Sequence, residues 1–92
     1  MVLHHSAMPA DDLPDSREIR FRLRGDKDLI TCLVGWDVLD RLGDSEAASR
    51  ADRLARFEEH RTGIEAAAMR KVDASGAPDG VLRLKAADII QE

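Results

Sequence analysis

EIRFRLRGDKDLITCLV, residues 18–34, is the stretch whose reading decides the fold. In its first half Ile19, Phe21 and Leu23 alternate with Glu18, Arg20, Arg22 and Arg24. That is the period of a strand with one buried and one wet face. GDKD at 25–28 supplies the turn chemistry of a hairpin. The second half offers Ile30, Cys32 and Val34 on one face and Leu29, Thr31 and Leu33 on the other, the pattern of a strand covered on both sides. With the loop at Gly25 to Asp28, Leu23, Phe21 and Ile19 oppose Ile30, Cys32 and Val34, and the arginine row opposes Leu29, Thr31 and Leu33. A shift of one residue in the loop would exchange those faces.

Downstream, WDVLDRLG places Trp36, Leu39 and Leu42 at helical spacing, with Asp37 in the first turn and Gly43 as a stop. Asp44 or Ser45 then caps a long helix running to about Val72, with Leu54, Phe57, Arg61, Ile64 and Ala68 in one stripe. Arg53 falls on its polar side. Gly63 inside this helix costs about 1 kcal/mol relative to Ala, so tertiary packing must hold it. DASGAPDG at 73–80 ends the helix, and Val81 to Lys85 reads as a last strand before AADIIQE, where Asp88 can cap a terminal turn. Residues 1–16, MVLHHSAMPADDLPDS, carry Pro9, Pro14 and three aspartates without apolar periodicity, and read as a mobile N-terminal arm. The expected architecture is a single α+β domain over residues 17–92. In it a small antiparallel sheet, the hairpin plus the C-terminal strand, packs against a short and a long helix in the order β-β-α-α-β.

The chain has 92 residues, 43% hydrophobic and 35% charged, which describes one small globular domain with a modest core. No apolar run approaches the ~20 residues of a membrane-spanning helix. The N-terminus lacks the basic and apolar regions of a secretory signal, and a single cysteine cannot form an internal disulfide. A cytoplasmic location and no membrane partner are expected. The net charge of −4 argues against general nucleic-acid binding, which requires a basic surface.

Several pieces in this order resemble a bacterial family, domain-of-unknown-function family 1488, over about residues 17–90: the strand with Phe21, a polar turn, Cys32 in the next strand, a short helix with Leu39, HRTGIEAAA at 60–68 and GVLRLKAADI at 80–89. The resemblance implies a small bacterial α+β domain. It implies no activity and no catalytic residue.

No catalytic, cofactor or metal site is expected from the residues themselves. Cys32 lies mid-strand among apolar neighbours with no local cation to lower its pKa, and reads as a small core hydrophobe. His4 and His5 near Asp11 and Asp12 have no spacing that fixes a coordination sphere, and His60 lacks a second histidine at helical spacing. SGAPDG follows a helix and precedes a strand, the reverse of a phosphate loop. Two features stand out. Arg20, Arg22 and Arg24 point one way along the first strand and are candidate anion or partner contacts. The bland alternative is a solvated strand face, partly neutralised by Glu18, Asp26 and Asp28. Arg61 interrupts the apolar stripe, either with its stem packed and its head in water or in a structural ion pair, with Asp88 or Asp37 as partner.

These observations favour a non-enzymatic protein-interaction or accessory module with an unidentified protein partner. The alternative is a ligand- or nucleic-acid-binding regulator that uses the arginine row. The second apolar face, with Leu29 and Leu33, needs a cover. The Trp36 helix or a second copy of the chain can supply it, and a homodimer is the favoured expectation.

Overall fold

The structure, a computed structural model, describes residues 9–25, 29–43, 49–77 and 79–89. Strand β1 (Asp11–Leu13) leads into β2 (Glu18–Arg24) and β3 (Leu29–Gly35). Helices α1 (Trp36–Gly43) and α2 (Arg50–Ser75) follow, then β4 (Val81–Leu84) and a single turn, α3 (Ala86–Ile89). The strands form one sheet in the order β1-β2-β3-β4. The α+β class and the central β-β-α-α-β order are those expected. Residues 26–28 of the proposed turn at Gly25 to Asp28, Pro78 and the cap at Asp44 or Ser45 lie outside the described residues.

The hairpin register follows from its side chains. Ile19 pairs with Val34, Phe21 with Cys32 and Leu23 with Ile30, while Arg20 faces Leu33, Arg22 faces Thr31 and Arg24 faces Leu29. The first set packs with Leu82 and Leu84 against Val38 and Leu39 of α1 and Phe57, Ile64, Ala68 and Val72 of α2. Phe21 and Phe57 meet across this layer with ring centroids 5.1 Å apart. Both helices therefore lie on one face of the sheet.

Three details differ from the sequence expectation. Residues 11–13, assigned to the arm, form an edge strand antiparallel to β2. A turn over residues 14–17 with Arg17 at a positive φ of 55° brings them back. Three residues are too few to display a period, so the sequence carries no strand signal there. The sheet is mixed, because β4 runs parallel to β3. α1 begins directly at the end of β3, and the 26 residues of α2 carry the chain back along the molecule, so β4 starts beside the beginning of β3. The helix pair thus acts as a crossover rather than a hairpin connection. Finally, Ser49 caps α2: its hydroxyl accepts a hydrogen bond from the Asp52 amide at 3.2 Å. At the other end Gly76, at φ 73°, donates its amide to the Val72 carbonyl.

Candidate functional site

With both helices on one side, the opposite face of the sheet is built, among the described residues, from strand side chains. Asp11 of β1, Glu18, Arg20, Arg22 and Arg24 of β2, Leu29, Thr31, Leu33 and Gly35 of β3, and Val81 and Arg83 of β4 share it by register. α1 does not cover this face, since Val38 and Leu39 belong to the core on the other side. The expectation that β3 is covered on both faces holds for Leu33 but not for Leu29, which the chain itself leaves half exposed.

The charged residues divide the face into two halves. In the half toward the end of β3, Arg20 donates to Asp11 at 2.9 Å, and its buried Nε has no hydrogen-bond partner. Arg83 donates to Glu18 at 3.3 Å. Glu18 lies opposite Gly35 and Arg83 beside Leu33, so this ion pair crosses β3 from β2 to β4. Leu33, flanked by Arg20 and Arg83, is only 8% exposed. Long basic side chains with apolar stems do the covering that a helix would otherwise do.

In the other half the cover ends. Leu29 is 51% and Val81 44% exposed, with Thr31 between them in the register. Arg22 and Arg24 border this patch, and among the described residues neither makes an ion pair or hydrogen bond. Of the acids expected to neutralise the row, Glu18 is engaged with Arg83, whereas Asp26 and Asp28 lie outside the described residues.

A second feature lies at the end of the parallel pair. A cleft of about 690 Å³ is lined by Arg17, Glu18, Gly35, Asp37, Arg83 and Lys85 among others. A Cβ at position 35 would collide with the Asp37 carboxylate, so glycine lets that side chain fold against the strand end. The cleft's charged lining residues are of both signs.

The remaining polar side chains make structural networks. The Asp12 carboxylate, 2% exposed, accepts from Trp36 Nε1 at 2.8 Å and from Arg53 Nε and Nη2 at 3.1 and 2.9 Å. The Arg53 guanidinium also stacks 3.7 Å from the Trp36 ring centroid. The Arg53 hydrogen bond holds the Asp12 carboxyl below its usual pKa. This group ties β1, α1 and α2 together. Arg53 is therefore not a solvated polar-face residue, and the sequence gives no hint of it because its partner is 41 positions away.

Arg61 makes ion pairs within its own helix, at 2.7 Å to both Glu58 and Glu65. Glutamates of the same helix thus pair with Arg61 where Asp88 or Asp37 was expected, and Asp88 accepts from Lys71 at 2.7 Å and from the Lys85 amide at 2.8 Å. The physical reason is proximity: residues three and four apart already face each other on a helix. Burial works against the Arg61 charge, but Glu65 and Glu58 more than compensate and raise its pKa. Glu65 is buried although the sequence pattern marks it only by its position one residue after Ile64 and four after Arg61.

Cys32 is fully buried, and desolvation, with the nearby Glu65 charge, pushes its thiol up to about 12. Among the described residues no three His, Cys, Asp or Glu side chains cluster as metal ligands. His4 and His5 lie outside those residues. No helix among them is long and apolar enough to cross a membrane.

Comparison with known proteins agrees with this architecture. The family model described as protein of unknown function (DUF1488) matches residues 11–84. A crystal structure of a protein of unknown function from the same family, from Shewanella loihica PV-4, is similar in fold, with a TM-score of 0.77 at 20% identity over 85% of this chain and 87% of that one. A search of curated proteins matches none to this chain. The chain belongs to the DUF1488 family.

Proposed function

We propose that the chain is a non-enzymatic protein-interaction module that engages its partner through the helix-free sheet face. The single observation behind this reading is the exposed pair Leu29 and Val81 beside two arginines that have no partner among the described residues. A strand face that needs only to be wet has no use for large apolar side chains there. The other half of the same face, where ion pairs cover Leu33, is what such a face looks like when it is closed. A cytoplasmic setting in a bacterium fits the lone buried cysteine and the bacterial source of the similar structure.

The second reading, a regulator binding an anionic ligand or nucleic acid, draws on Arg22 and Arg24. A homodimer through the same face is a third occupant. One experiment separates them. The purified chain and its Leu29→Asp variant are used as baits, captured material is divided by nuclease treatment, and any captured protein is reconstituted from purified components. The proposal expects one protein that binds the unaltered chain directly and loses binding to Leu29→Asp. Capture abolished by nuclease favours the second reading, and sedimentation at twice 10.2 kDa that Leu29→Asp reverses favours the dimer.

A further inference from the structure

We infer that the occupant of the open half of the sheet face is a short acidic segment of another protein, with an apolar anchor on Leu29 and Val81 and carboxylates on Arg22 and Arg24. This rests on the reading of the face as an interaction surface and adds the chemistry of the partner. Arg22 and Arg24 are alternate residues of one strand, so their Cα atoms lie roughly 7 Å apart on the same side. Two guanidinium forks at that spacing match two carboxylates on alternate residues of an extended segment or one turn apart on a helix. Leu29 lies directly opposite Arg24, and Thr31 lies between Arg22 and Val81, so apolar and cationic positions interleave across three strands.

Charge decides against the competing occupants. The acids on this face, Asp11 and Glu18, are already paired with Arg20 and Arg83. A second copy docked by a two-fold axis would bring a matching pair of arginines and, among the described residues of this face, no carboxylate that is not already paired, and like charges so placed cost affinity. A nucleic acid would satisfy the arginines, but its phosphates call for a broad basic surface, which a chain of net charge −4 lacks, and single-strand binders commonly add aromatic platforms. Phe21 and Phe57 are core residues, and the Trp36 ring is stacked under Arg53. The patch is small, which suits a linear segment and modest affinity rather than a domain-sized interface.

The test is selection of random peptides displayed on phage against the full chain and against its Arg22→Glu/Arg24→Glu variant, whose fold is checked by circular dichroism. Peptides selected on the unaltered chain should carry two or more Asp or Glu around an apolar residue. They should bind the charge-reversed variant at least about tenfold more weakly, as expected for loss of two exposed ion pairs. Their affinity should fall between about 50 and 300 mM salt. Selection on the variant should turn to Lys and Arg. Peptides without acidic bias that still lose binding to Leu29→Asp would overturn this inference and leave the interaction surface standing. Peptides indifferent to both sets of substitutions, or none selected at all, would overturn both. Tighter binding of labelled oligo(U) than of any acidic peptide would overturn the inference in favour of nucleic acid. A dimer of the unaltered chain that Leu29→Asp dissociates would overturn it in favour of a second copy.

Discussion

Arg83 of β4 reaches Glu18 of β2 across the intervening strand, and Leu33 beneath it is closed from water while Leu29, four residues earlier on the same face, is half exposed. The same strand face is thus sealed at one end by an ion pair and open at the other. Arg83→Ala should uncover Leu33 with little loss of stability, about 1 kcal/mol, because the Arg83 end of the ion pair is 69% exposed and screened by water. Urea unfolding should show nearly the same midpoint, and binding of a hydrophobic dye to the native state should rise. An unchanged dye signal would mean that Leu33 is covered by Arg20 alone.

Arg53 and Arg61 each neutralise a carboxylate that is only 2% exposed, Asp12 and Glu65. Truncating either arginine should destabilise the fold, by about 3 kcal/mol for Arg61→Ala, since it strands a buried charge. Only Arg53→Ala should shift the emission of Trp36, the sole tryptophan, whose ring lies under that guanidinium. Arg53→Lys should not restore it, because one ammonium cannot replace the two-pronged contact and the stacking. Equal fluorescence in all three variants would contradict the network.

Acid should unfold the protein through Asp12 and Asp88. The pKa of each is lowered, chiefly by its hydrogen bond from Arg53 or Lys71. A carboxyl with a depressed folded-state pKa contributes stability that is present above its unfolded value and is lost as pH falls through the folded one. The ordinary aspartate value of about 3.9 marks the upper edge of that window. Stability should therefore decline below about pH 4. Asp12→Asn with Asp88→Asn should lower stability at neutral pH and flatten the acid limb of the curve.

The Cys32 thiol, at about 12, has a thiolate fraction of about one part in 10⁴ at pH 8. A thiol reagent should label the native protein no faster than the chain opens, and urea should accelerate labelling sharply. Rapid stoichiometric labelling without denaturant would place Cys32 outside the core.

Gly63 is exposed inside α2, and a Cβ built there meets nothing within 4 Å. Gly63→Ala should stabilise the protein by about 1 kcal/mol, through helix propensity and a less disordered unfolded chain. Thermal unfolding should show a higher midpoint. A lower one would mean that a side chain at position 63 does meet a neighbour in the folded chain.

Local pattern determined the hairpin and its register, the α1 helix and the core stripe of α2. Alternation along residues 18–34 and spacings of three and four along α2 encode which face is buried, and burial of apolar surface is the largest favourable contribution to folding. The tertiary structure decided the rest. Asp11–Leu13 becomes a strand only because β2 offers an edge and Arg53 and Trp36 hold Asp12. β4 lies parallel because of where α2 delivers the chain. The polar partners, Asp12 with Arg53 and Glu18 with Arg83, are 41 and 65 residues apart, and no local period records such distances. The arginine row was legible as a row, but which members are spent on Asp11 and which remain open depends on strand order. Hydrophobic periodicity is written residue by residue along the chain, whereas ion pairing between strands is set only when the folded sheet brings remote side chains together.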